Sequence, residues 1–125
     1  MAQTSPPEIP SITVLVVDDE PQIVSLVSGI LSRYKILTAM SGAEALDCSK
    51  HFGGEIHLLL SDFHMPGLSG MDLATQITQA RPKIQVLLMS GYAGGMLVLN
   101  EGWHFLAKPF IPSQLRSLVA ALVKG

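Results

Sequence analysis

Three apolar runs in this chain end on a charged residue, and that punctuation constrains the fold more than any other feature. Leu58-Leu59-Leu60-Ser61 runs into Asp62, Ile12-Thr13-Val14-Leu15-Val16-Val17 into Asp18-Asp19-Glu20, and Phe105-Leu106-Ala107 into Lys108-Pro109-Phe110. A further run, Val86-Leu87-Leu88-Met89, ends in Ser90-Gly91. Runs this short and this apolar read as strands covered on both faces, which belong to parallel sheets. An acid at the end of such a strand has left the core and stands at the carboxyl edge of the sheet, where open α/β folds place their ligands. One edge thus collects Asp18, Asp19, Asp62, the Ser90 hydroxyl and the Lys108 ammonium.

Helical segments separate the runs. Ile23, Leu26, Val27, Ile30 and Leu31 share one face of a helix from Pro21 to about Ser32, and proline suits its first turn. Lys35–Ala39 is a short second strand. Ser41 is placed to cap a helix carrying Ala43, Leu46 and Cys48, and Ser69 to cap one carrying Met71, Ala74 and Ile77 that stops before Pro82. His57–Ser61 and Ile84–Met89 are strands three and four, and a fifth lies near Phe105. Leu115, Leu118, Val119 and Leu122 mark a last helix over Pro112–Val123. Five strand–helix units give a doubly wound parallel α/β sheet. Residues 1–11, with Pro6, Pro7 and Pro10, are expected to be a disordered leader ahead of one domain over 12–125.

Composition removes several function classes. The 125 residues suit a single domain, and 48% of them are hydrophobic, enough for one packed core. The formal charge is −2 and the eight basic residues are scattered, so no direct nucleic-acid footprint is expected. No stretch approaches the ~20 apolar residues of a membrane span, and no signal peptide is seen. Cys48 is the single cysteine. These features point to a cytoplasmic protein with no membrane contact.

The edge cluster suits a divalent cation and a phosphoryl group. Magnesium prefers hard oxygen ligands. Three carboxylates, Mg²⁺ and Lys108 sum to zero charge. A carboxylate beside a cation can act as a nucleophile toward phosphorus, with Lys108 and Ser90 as donors to the phosphoryl oxygens. The bland alternatives are a helix-start acid pair at Asp18-Asp19, a surface lysine at 108 and a turn serine at 90. Their joint occurrence at successive strand ends outweighs each of these.

Together, Asp18-Asp19, Asp62 with Met65-Pro66 and Gly70, Ser90-Gly91 and Lys108-Pro109-Phe110 resemble the receiver (phosphoacceptor) domain of bacterial two-component response regulators, over about residues 12–123. The resemblance implies a flavodoxin-like strand order of 2-1-3-4-5. It implies a phosphorylation-activated switch in phosphorelay signalling, not a turnover enzyme. Asp62 would accept the phosphoryl group from a sensor histidine kinase or phosphotransfer protein. Asp18, Asp19, Asp62 and the backbone carbonyl of His64 would hold Mg²⁺. Lys108 would pair with the phosphoryl oxygens, and Ser90 and Phe105 would be the switch pair. An output protein or a homodimer would read the state. The alternative is a receiver-like docking module that is never phosphorylated. An aspartyl phosphatase of another family would show Asp-x-Asp after strand one, and a flavin carrier a phosphate-cradling loop there. Asp18-Asp19-Glu20 provides neither.

Three places depart from the resemblance. The Ser90–Lys108 segment is short by about one helical turn and contains Gly94-Gly95, so a shortened fourth helix is expected between strands four and five. Ile111 replaces a capping residue. Trp103 is expected to fill the space of the missing turn, packing near Met96 or Leu97, rather than to stand exposed as a partner anchor. His64 and Tyr92 would flank an attacking water and shield the phosphorylated acid. His51, His57 and His104 read as structural or exposed, Cys48 as an inert helix residue, and the methionines as core filler.

Overall fold

The computed structural model describes residues 11–91 and 103–123. Its sheet has five parallel strands: β1 (Thr13–Val17), β2 (Lys35–Ala39), β3 (Leu58–Asp62), β4 (Gln85–Ser90) and β5 (Trp103–Ala107). Their order is β2-β1-β3-β4-β5, so the chain reverses direction across the sheet after β2. Registers pair Val17 with Ala39 and Ser61, Asp62 with Met89, and Ser90 with Ala107. Every strand therefore ends at one edge, and the acids, the hydroxyl and the ammonium arrive there together.

Strand alternation sends successive side chains to opposite faces. Leu15, Val17, Leu59, Val86 and Leu88 pack beneath α2 (Gly42–His51) and α3 (Gly70–Ala80). Val14, Val16, Leu58, Leu60, Leu87 and Met89 pack beneath α1 (Pro21–Ile30) and α4 (Pro112–Val123). The inner strands β1 and β3 are buried along their whole length. Burial on both faces explains why these runs are apolar without alternation.

Local signals set the helix starts. Ser41 Oγ accepts the Glu44 N–H at 3.0 Å and Ser69 Oγ accepts the Asp72 N–H at 3.1 Å. Each cap is worth about 1 kcal/mol. The Glu44 carboxylate reaches back to the Met40 N–H, completing a reciprocal cap. Pro21 opens α1. That helix ends at Ile30, not Ser32, because its last turn tightens: Ser32 N–H donates to Gly29 O, and Leu31 leaves helical geometry. The strand bounds also move. β3 starts one residue later than expected and includes Asp62, whose successor Phe63 still donates its N–H to Met89 O at 2.7 Å. β4 is shifted likewise and includes Ser90.

One tie was invisible in the pattern. Arg81, just past α3, donates to Ser49 Oγ, Ser49 O, Phe52 O and Gly54 O at 2.8–2.9 Å. A single guanidinium thus satisfies carbonyls at the end of α2 and fastens it to α3. At the same end of the sheet, His57 Nδ1 accepts the Thr13 N–H at 3.1 Å, a structural role. His51 is exposed on α2, and His104 is half-buried in β5.

Trp103 is 8% exposed and lies in the core cluster under α2 and α3. It is a buried core residue and not an exposed surface anchor. The proposed neighbours Met96 and Leu97, and the shortened helix itself, lie outside the described residues, as does the leader up to residue 10. Trp103→Ala is expected to lower stability by ~3–5 kcal/mol in urea unfolding, as large-to-small core changes do. The wild-type emission should be blue-shifted. A solvent-like spectrum from the folded protein, or a loss below ~1 kcal/mol, would contradict the burial.

Candidate functional site

β1 delivers Asp18 and Asp19, β3 delivers Asp62, β4 delivers Ser90, and the turn after β5 delivers Lys108. Asp18 is fully buried. Its Oδ1 accepts the Glu20 N–H at 3.0 Å and its Oδ2 accepts from Lys108 Nζ at 3.2 Å. Lys108 Nζ also stands 3.4 Å from Asp62 Oδ1. Asp62 is 9% exposed and Ser90 1%. Asp62 therefore has not left the core, as its place at the end of an apolar run suggested. It is the last residue of the strand and is nearly enclosed. Asp19 is exposed, at the mouth of the cluster.

One carboxylate oxygen from each of Asp18, Asp19 and Asp62 lies within 4.8 Å of the others. That spacing and the all-oxygen donor set fit a hard divalent cation such as Mg²⁺. The His64 side chain does not join this group. It is exposed and stands edge-on to Phe63, ring centroids 4.7 Å apart. Phe63 in turn meets Phe105 edge-to-face at 6.4 Å. Phe63 was not singled out in the sequence, where it reads as one more apolar residue. Its place directly after Asp62 was the available signal. Phe105 is half-buried and packed on the core. Ser90 is joined to the lysine turn through the main chain, its carbonyl accepting the Lys108 N–H at 2.7 Å. The Lys108–Pro109 bond is cis. Tyr92 lies outside the described residues.

Burial pushes the Asp62 carboxyl above its ordinary range; Lys108 opposes this, and the neighbouring Asp18 and Asp19 charges add to it. Burial alone would lower the Lys108 ammonium, but Asp62 and Asp18 outweigh it and hold that group above its usual value. Lys108 stays charged, and Asp62 carries the strain of the cluster. Cys48 is half-buried on α2, and burial with the nearby Asp47 and Glu44 pushes its thiol upward, consistent with an inert residue.

Two grooves lie near these elements, and size does not mark the chemistry. The larger, about 690 Å³, runs between α2 and α3 past Leu46, Ser49, Gln76 and Arg81, at the helix ends remote from the acids. A smaller one of about 430 Å³ borders the site, walled by Ile23, Leu26, Pro109 and Phe110 with Lys108 on its lining.

The sequence matches the response regulator receiver domain family over residues 14–120, and the chain belongs to that family. It is 34% identical over 120 residues to sensor kinase CckA of Brucella abortus, an alignment covering 91% of this chain and 13% of that protein. It is 31% identical over 117 residues to the alkaline phosphatase synthesis transcriptional regulatory protein PhoP of Bacillus subtilis, covering 89% of this chain and 48% of that one. Among solved structures, the receiver domain from the hybrid histidine kinase CckA superposes with a TM-score of 0.79 at 31% identity, covering 89% of this chain and 98% of that chain. The chain therefore spans less than half the length of these two curated relatives but nearly all of an isolated receiver domain. Receiver domains are signalling modules. Among the described residues no helix is long and apolar enough to cross a membrane.

The raised Asp62 value fixes a pH dependence. Between the ordinary carboxylate range and its folded value, the native protein keeps a proton that the unfolded chain loses. Stability tied to this group is complete below that range and is lost as pH rises through the folded value. Asp62→Asn cannot ionise and escapes the loss. In the absence of divalent cations the variant should unfold at higher urea than wild type at neutral pH, and the gap should close toward pH ~4. A variant no more stable than wild type at neutral pH would show that Lys108 fully compensates the buried charge.

Proposed function

We propose that this chain, as one domain over residues 12–125, is a phosphorylation-activated switch whose acceptor is Asp62. The observation that carries this reading is the Asp62 carboxylate, nearly enclosed and 3.4 Å from Lys108, grouped with the Asp18 and Asp19 oxygens. The donor is a phosphohistidine of a sensor histidine kinase or a phosphotransfer protein. An Asp62 oxygen attacks phosphorus in line, the P–N bond breaks, and the imidazole leaves with its electron pair and takes up a proton. The product is an acyl phosphate on Asp62. Water later attacks phosphorus, the P–O bond to Asp62 breaks, and the carboxylate and inorganic phosphate are restored.

Asp18, Asp19, Asp62 and the His64 carbonyl would hold Mg²⁺. When bound, that ion supplies charge neutralisation for the phosphoryl oxygens and relieves carboxylate repulsion. Lys108 is fixed by the buried Asp18, so it remains at hand to pair with a phosphoryl oxygen once Asp62 is esterified. Ser90 offers its hydroxyl at the same edge. Phe105, two residues before the end of β5, would follow the serine inward. The groove walled by Ile23, Leu26 and Phe110 offers the donor's surface an approach beside Lys108. An output protein or a second copy of the chain would read the resulting shape. A docking module that is never phosphorylated would have no use for a buried, strained acid set, and nothing in the site favours it.

Phosphoramidate with Mg²⁺ should add one phosphoryl group by mass, and Asp62→Asn should abolish it. Lys108→Ala should slow labelling by ~10²-fold, the effect of losing one charge-stabilising donor. Equal labelling of Asp62→Asn would refute the acceptor assignment.

A further inference from the structure

We propose that Gly70 is a positioning residue for the acceptor: its missing side chain lets α3 seat its first residue against the main chain of Asp62, and this contact sets where the Asp62 carboxylate stands. The inference rests on the phosphoacceptor reading and adds a residue to it.

Gly70 opens α3 and is buried. Its N–H donates to Phe63 O at 2.9 Å, closing the loop that begins after Asp62. A Cβ at Gly70 would run into the Asp62 carbonyl oxygen, and would stand 2.9 Å from Phe63 Cα and 3.1 Å from the Asp62 carbonyl carbon. All three are main-chain atoms, so no rotamer change relieves the clash. The Asp62–Phe63 peptide is also gripped elsewhere. Its carbonyl accepts from Ser61 Oγ at 2.9 Å, and its N–H donates to Met89 O at 2.7 Å. α3 cannot back away freely, because Leu73, Ala74 and Ile77 are wholly buried in the core. Room for a methyl group must therefore come in part from displacing Asp62 relative to Lys108, Asp18 and Asp19. A misplacement of ~1 Å costs such a reaction on the order of 10²-fold.

The fold supplies its own controls. A Cβ at Gly42 would also be crowded, 2.7 Å from Leu68 Cβ and 2.9 Å from its Cδ2, but it meets a side chain and not the acceptor. A Cβ at Gly29 would meet nothing within 4 Å.

Gly70→Ala, Gly42→Ala, Gly29→Ala and wild type should be compared for stability by urea unfolding, for labelling rate with phosphoramidate and Mg²⁺, and for Mg²⁺ affinity by calorimetry with the metal alone. Gly70→Ala is expected to label ~10²-fold more slowly and to bind Mg²⁺ more weakly while folded. Gly42→Ala should lose stability yet keep labelling and Mg²⁺ affinity close to wild type, and Gly29→Ala should keep all three. Should Gly70→Ala be unfolded in buffer, trimethylamine N-oxide restores burial, and the same criteria apply to the population shown folded by Trp103 emission. Wild-type labelling and affinity in the folded Gly70→Ala protein would overturn the proposal. So would equal losses of both in Gly42→Ala, which would reduce the effect to general loosening. If wild type itself takes no phosphoryl group, the acceptor reading fails, and the Mg²⁺ affinities alone decide whether Gly70 positions Asp62.

Discussion

The site depends on one ammonium shared between two enclosed acids. Lys108 Nζ lies 3.2 Å from Asp18 and 3.4 Å from Asp62. Removing the ammonium from such a place would leave two buried carboxylates uncompensated, which is far more costly than losing a surface pair. The pairing is unequal. Asp18 is wholly buried, and its second oxygen is satisfied by the Glu20 N–H. Asp62 has Lys108 as its ion partner at 3.4 Å, and burial and like charge raise its pKa. The cluster therefore has an anchored end and a strained end, and the strained end is the proposed nucleophile.

The sheet makes this arrangement possible. Helices pack on both faces, so for the fully buried inner strands β1 and β3 the residues at the strand ends are where charge can stand. β1 and β3 are neighbours on either side of which β2 and β4 lie, and parallel registers bring Val17, Ser61 and Leu88 level. Asp18 and Asp62, one step further on, and Ser90, two steps on, then converge without any long loop. The far ends of α2 and α3 are tied together by Arg81.

Much of this was legible because it is local or periodic. Ser41 and Ser69 read as caps and do cap, since capping needs only a hydroxyl three residues before a free N–H. The strand-end acids read as a cluster because apolar runs and their terminators are visible in one dimension. Strand order was not visible that way; it came with the family resemblance. What failed or was missed is three-dimensional. The Arg81 clamp joins atoms 27–32 residues apart and uses main-chain acceptors that carry no sequence signal. The burial of Asp62 was misjudged because a charged residue marks the end of an apolar run whether the strand stops there or one residue later. Phe63 carried no signal of its own between Asp62 and His64, although its ring links His64 to Phe105.

That aromatic contact bears on how an event at Asp62 is felt elsewhere. Phe63 is bonded to Asp62 and touches Phe105 on β5, two strands away. Phe105 shares its core with Trp103, Leu88 and the buried residues of α3. Close-packed interiors transmit displacement because there is no free volume to absorb it. A main-chain shift at Asp62 has two ways out: through Gly70 into α3, and through Phe63 into β5. The first is backbone against backbone and is stiff. The second is an edge-to-face contact at 6.4 Å, which rotation of either ring can accommodate. The stiff path holds the Asp62 main chain in place, and the soft path is the one with room to move.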